Sequence, residues 1–247
     1  MPAGLIVVYG LGTELAGTYW LPLLAVSLVM SRFWAELFSR WRDRPLDRGW
    51  VLAAWLYALL LPAQTPLGFA ALALSFGLVF GCHVFGGSGR YLVNPALLAI
   101  VFLSVSYPNP LVAAAEVHLE QAIASLLGAL YLITRGAASA RIIGAALGAI
   151  IVGSLAVGLS WHWHLTLGNF ALLLAFVATD PTTRPATAGG CWAFGALFGA
   201  LTIVLRTAIP ESPEGTWSAL LLASLCVPLL DHIAGWRPKP APEDQGA

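Results

Sequence analysis

An all-α polytopic membrane protein is the fold class this sequence predicts, and three observations predict it. Of its 247 residues 59% are hydrophobic and only 10% charged, with a mean hydropathy of +0.82, whereas a soluble domain carries about 25% charge. Apolar runs recur along nearly the whole chain, each close to the roughly 20 residues that a helix needs to cross a hydrocarbon core. The cations fall almost entirely into alternate connections, as expected of loops retained on the cytoplasmic side of a bilayer.

In order, the runs predict about nine spans (eight to ten, allowing for partial ones) near residues 18–38, 49–62, 67–84, 94–107, 119–134, 140–160, 163–179, 190–208 and 216–233. The second and fourth are short enough to be half-spans or re-entrant pieces. Residues 4–17 are a candidate tenth, partial segment. Pro62 and Pro66 bracket a tight turn, and the Pro-Asn-Pro step at 108–110 stops the fourth run, because proline lacks an N–H and clashes with the preceding turn. Gly144 with Gly148 and Gly195 with Gly199 stand at the spacing that lets helix backbones approach closely. A single membrane domain over 1–236 is expected, then a polar, proline-rich tail at 237–247 expected to be disordered. The first ten residues have neither a basic leader region nor a small-residue cleavage site, so the start is expected to be retained.

If the first span enters the cytoplasm, Arg40, Arg42, Arg44, Arg48, Arg90, Arg135, Arg141, Arg184, Arg237 and Lys239 all lie inside and only Arg206 outside. The expected topology is an external N-terminus and a cytoplasmic C-terminus in a bacterial inner membrane. Lys plus Arg and Asp plus Glu number 12 each, so no bulk attraction to nucleic acid is implied. The three cysteines, Cys82, Cys191 and Cys226, form no close pair and predict neither a disulfide framework nor a cysteine-only metal site.

Two stretches interrupt the helical pattern, FGGSGRYLVNPALL at 85–98 and ATDPTTRPATAGG at 178–190. Each leads from a span through a Gly-, Pro- or Thr-rich loop into a new helix, which suggests an internal duplication. Four crossings separate them, so both face the same side; a tenth segment between them would make the repeat inverted. Broken elements of this kind expose N–H groups and helix N-termini, which attract anionic or electron-rich ligand atoms. Asn94 before Pro95 reads as an N-cap with proline at the first helical position. Asp180 either caps its own turn or faces a polar cavity. Arg90 and Arg184 either anchor the loops by the positive-inside rule or pair with a ligand phosphate or with Asp180. His162 and His164 lie about 200° apart on a helix and so share no metal; an interfacial anchor is the expected role. His83 is a candidate ligand contact, and a haem shared with His232 is the remotest reading considered. Glu36 and Asp231 are expected to be solvated span ends.

The ordered motifs FGGSGR, NPA, WHL, ATDP, FGALFG, PEG and PLLDH over residues 18 to 233 closely resemble the NqrB/RnfD family, whose members belong to the sodium-translocating NADH:quinone reductase and to the Rnf complex. The resemblance implies a membrane subunit of an electron-transfer complex. It would handle electrons through a noncovalent flavin (riboflavin or FMN) or a quinone and contribute to ion-coupled transport. Implied partners are other membrane subunits and a cytoplasmic NADH or ferredoxin dehydrogenase, with no nucleic acid. By the same resemblance Gly86 and Gly87 match a quinone-associated pair. The candidate cofactor-contact residues are Gly86, Gly87, Gly89, Arg90 and Asn94 in the first loop, and Thr179, Asp180, Thr182 and Arg184 in the second. Relatives attach FMN to a threonine in an SGAT motif. No such motif occurs here, and residues 109–121 contain neither serine nor threonine, so covalent FMN is expected to be absent. The N-terminal extension of longer relatives is also expected to be missing. Two readings compete with a redox subunit: a transporter or channel-like protein without redox chemistry, and a membrane anchor for a soluble reductase.

Overall fold

The computed structural model describes residues 20–46, 49–62, 65–87, 89–107, 119–158, 160, 161, 164, 169–208 and 214–235. Among them every regular element is helical: α1 (Trp20–Trp41), α2 (Gly49–Leu60), α3 (Leu67–Leu78), α4 (Pro95–Ser106), α5 (Leu119–Thr134), α6 (Ala140–Val157), α7 (Phe170–Leu172), α8 (Ala188–Ala208), α9 (Glu214–Leu225) and α10 (Val227–Ile233). Three helices, α1, α6 and α8, are long and apolar enough by themselves to cross a membrane, and the bent pair α9–α10 makes a fourth. Further apolar helices are shorter: Gly49–Leu60, Leu67–His83, Pro95–Ser106 and Ala122–Thr134. Nine full spans are therefore not counted among the described residues. The candidate segment at 4–17, the proline stop at 108–110, His162 and the tail lie outside them.

The distribution of polarity is that of a protein solvated by hydrocarbon. Along α1 the exposed positions are large and apolar, with Val29 at 65%, Phe33 at 52% and Leu37 at 45%, whereas Ser27 and Ser31 are fully buried. Buried hydroxyls elsewhere fold back on their own helices, as Thr202 does on the carbonyl of Phe198 (2.8 Å) and Ser224 on that of Leu220 (2.8 Å). With no water to accept them, those protons must find backbone oxygen.

Glycine sets the closest helix contacts. A Cβ on Gly195 would collide with the carbonyl of Ile142, and one on Gly199 would lie 2.7 Å from the carbonyl of Ala146. The pairs 142 with 195 and 146 with 199 advance together, so α6 and α8 run parallel. Gly77 of α3 meets the carbonyl of Pro95 and the backbone of Ala99 on α4 in the same way. Of the expected small-residue pairs only Gly195 and Gly199 serve this purpose: a Cβ on Gly148 would touch nothing within 4 Å, and one on Gly144 would meet only Trp192 at 3.9 Å.

Both broken spans end in a π-helical turn that the apolar pattern does not announce. The first, Val79–His83, continues α3, and the second, Leu173–Val177, continues α7. Each inserts an extra residue into the helical ladder, a local expansion often found at functional positions. The last span breaks as well, bending by 46° between α9 and α10. Pro228, at the start of α10, is the cause, since it lacks the N–H that would continue α9.

Candidate functional site where two loops meet

The π turns deliver the chain into the two loops, and the loops touch. Asp180 Oδ2 accepts hydrogen bonds from the Tyr91 hydroxyl (3.0 Å) and from Asn94 Nδ2 (3.1 Å), while Oδ1 accepts from the amide of Thr182 (3.0 Å). Asp180 is 8% exposed and Asn94 4%. A carboxylate this buried needs its lone pairs satisfied, and three donors from two loops do so. Asp180 thus closes its own turn and also reaches across, combining both of the roles open to it. Burial, and then the charge of Asp180, push the Tyr91 phenol upward from its ordinary value, so Tyr91 stays a donor at neutral pH.

Asn94 is the N-cap of α4, accepting from the Ala96 amide at 3.0 Å with Pro95 following it. Its amide group therefore works at both ends, oxygen on the helix and nitrogen on Asp180. Neither Arg90 nor Arg184 forms an ion pair with Asp180; among the described residues the ion pairs are those of Glu36 with Arg32 (3.2 Å) and Arg40 (2.6 Å). Arg90 is exposed, with its Cδ lying 3.2 Å from where a Cβ on Gly86 would stand. Arg184 is half-buried. Thr179 is buried and donates to the Ala175 carbonyl (2.7 Å), so its proton is committed to the second π turn. Thr182 contributes its backbone amide.

The glycines give the first loop its shape. Gly86, Gly87 and Gly89 have φ of 116°, 99° and 82°, a region that residues with side chains rarely enter. A Cβ built on Gly87 or Gly89 would meet nothing within 4 Å. Their backbone faces open space, so a flat ring could lie against it.

Three residues carry contacts that sequence reasoning missed. Asp231, expected to be a solvated span end, is 9% exposed and accepts from the Ala186 amide (3.0 and 3.1 Å), the Thr187 amide (3.3 Å) and the Thr187 hydroxyl (3.2 Å). Arg206, expected in an external loop, is 1% exposed and donates to the carbonyl of His164 (2.7 Å) and to the Thr216 hydroxyl. His164 is fully buried and is not the interfacial anchor expected of it; its Nδ1 lies 3.2 Å from Arg206. These corrections share one physical reason: a polar group near a helix end is as readily clamped by backbone groups of its neighbours as solvated. His83 is stacked on Phe38 with ring centroids 4.6 Å apart, and Arg42 donates to its carbonyl. It therefore joins α1 to the first π turn. Among the described residues no group of three or more His, Cys, Asp or Glu is placed to hold a metal.

The family model described as NQR2, RnfD, RnfE matches residues 1–119 and 111–239. The chain belongs to this family. The NqrB subunit of the Na(+)-translocating NADH-quinone reductase is 32% identical in Stutzerimonas stutzeri, 33% in Azotobacter vinelandii and 34% in Ectopseudomonas mendocina, each over 268 residues covering 87% of this chain and 66% of the relative. This NQR2/RnfD/RnfE-family chain thus spans just under two thirds of the length of the relatives it matches. The matched stretch is longer than the whole 247-residue chain although only 87% of the chain takes part, so the relatives carry segments inside the match that have no counterpart here.

Proposed function

We propose that the chain is an integral-membrane subunit of an Nqr- or Rnf-type electron-transfer complex, and that the two joined loops form its contact for a noncovalent flavin or a quinone. The observation that carries this reading is the buried bridge from Tyr91 and Asn94 to Asp180, beside glycines whose backbone is open to a ligand. A flavin or quinone there would supply one- and two-electron carrier chemistry. Gly87 and Gly89 would let its ring approach the main chain, and Arg90 and Arg184 would offer cationic side chains to a phosphate or a reduced oxygen. Asp180, Asn94 and Tyr91 hold the two loops in register and exclude water between them.

Membrane orientation fits the same reading. Arg42 contacts the first π turn, and α6 starts beside the start of α8, so Arg40, Arg42, Arg44, Arg90, Arg135, Arg141 and Arg184 gather at one end of the bundle. Arg206 sits about 30 Å away at the far end of α8. The loop end is the cytoplasmic one by the positive-inside rule, in a bacterial inner membrane. Other membrane subunits would cover the apolar flanks, and a cytoplasmic NADH or ferredoxin dehydrogenase would meet the loops.

Purification of the full chain in detergent, followed by an absorbance spectrum and titration with riboflavin, FMN and ubiquinone-1, tests this directly. A flavin band near 1:1, or saturable binding lost on Gly87→Leu, is the expected result. A well-folded sample that binds none of the three would overturn the cofactor assignment.

A further inference from the structure

The geometry points to Asp231 as a positioning residue that sets the second loop from the opposite end to Asp180. The inference rests on the proposed role of the joined loops as the ligand contact. A buried carboxylate holds each end of the segment from Asp180 to Thr187. At its start Asp180 reaches to Tyr91 and Asn94. At its finish Ala186 and Thr187 donate three groups, two amides and a hydroxyl, to Asp231 of α10.

The finish is built closely. Thr187 Oγ1 accepts from the Gly190 amide (2.9 Å) while donating to Asp231, so one hydroxyl ties the first turn of α8 to α10. A Cβ on Gly190 would stand 2.6 Å from Thr187 Oγ1 and 3.0 Å from Asp231 Oδ1, so only glycine fits beneath the carboxylate. Cys191 Sγ contacts the Pro185 carbonyl at 3.3 Å. The bend at Pro228 redirects the last span over this spot. A segment fixed at only one end would pivot; fixed at both, it presents Asp180 to the first loop in one place. Asp231 therefore acts on the ligand contact through Asp180, without being part of it.

Hydrogen exchange on the full chain in detergent reads this relay, comparing wild type with Asp231→Ala and Asp231→Asn. With Asp231→Ala, exchange at the Ala186 and Thr187 amides is expected to rise at least about tenfold, and that at the Ala96 amide of the first loop at least about threefold. Asp231→Asn keeps one acceptor oxygen and is expected to recover much of both. Acceleration confined to 186–187 would overturn the inference, because Asp231 would then be a local cap. Should Asp231→Ala unfold the protein, as shown by loss of protection in α2, Asp231→Asn decides alone by the same criterion at Ala96. Riboflavin and ubiquinone-1 titrations separate the two proposals. An intact relay in a chain that binds neither probe sinks the ligand reading only, whereas probe binding that Asp231→Ala leaves unchanged sinks the positioning role.

Discussion

Asn94 offers the sharpest test of whether the two halves are fastened at their loops. Replacing it with alanine removes two interactions that the structure separates cleanly. The cap on the Ala96 amide is worth about 1 kcal/mol. The bond from Nδ2 to the buried Asp180 carboxylate is charge-assisted and worth about 2 kcal/mol. Asn94→Ala should therefore cost about 3 kcal/mol, whereas Asn94→Ser restores a capping oxygen without reaching Asp180 and should cost about 2 kcal/mol. The ten tryptophans provide a fluorescence signal for equilibrium unfolding in mixed detergent and dodecyl sulfate. Serine recovering wild-type stability would refute the reasoning, since the bond to Asp180 would then contribute nothing beyond the cap. So would a cost for alanine below about 1 kcal/mol, the value expected of the cap alone.

Further outcomes follow from the same contacts. Gly195→Ala drives a methyl into the Ile142 carbonyl and should cost about 1–3 kcal/mol in the same unfolding assay, whereas Gly68→Ala meets open space and should be neutral or stabilising by less than about 1 kcal/mol. Arg206→Ala strips donors from the buried carbonyl of His164 and the Thr216 hydroxyl and should cost about 2–4 kcal/mol; a loss near zero would mean water replaces the guanidinium. The Tyr91 phenol is raised above its ordinary value of 10.0 by burial and by Asp180. Its contribution to stability is therefore fully present below pH 10 and is lost as pH rises toward the folded value. Tyr91→Phe should flatten that alkaline decline, measured by unfolding at stepped pH.

Helix ends were largely legible in the sequence, because apolar runs end where proline, glycine or arginine begins. The expected run at 119–134 coincides with α5, and that at 67–84 exceeds the helix ending at His83 by one residue. Asn94 was legible as a cap, since an Asn-Pro step has few other uses before an apolar run. Counting crossings put the two loops on one side, and the bonds from Tyr91 and Asn94 to Asp180 join them there. The particular partners were not legible. Nothing in a linear pattern says that Asn94 Nδ2 and the Tyr91 hydroxyl converge on one oxygen across 86 and 89 residues. Arg206 and Asp231 were misplaced because hydropathy treats every charge as a marker of water, yet each is enclosed by polar groups of other elements. The π turns left no trace because every residue of Leu173–Val177 is apolar and buried, so a change of helical register leaves the composition unaltered.

Those two turns also impose a phase relation on the site. Each stores a surplus residue just before its loop, and deleting one residue from such a turn would let the helix continue as α while rotating everything beyond it by about 100°. A deletion in Val79–His83 alone would swing Tyr91 and Asn94 away from an unmoved Asp180, although both spans would remain fully helical. The two halves must therefore carry matching irregularities, so a length change in one is tolerated only together with a change in the other.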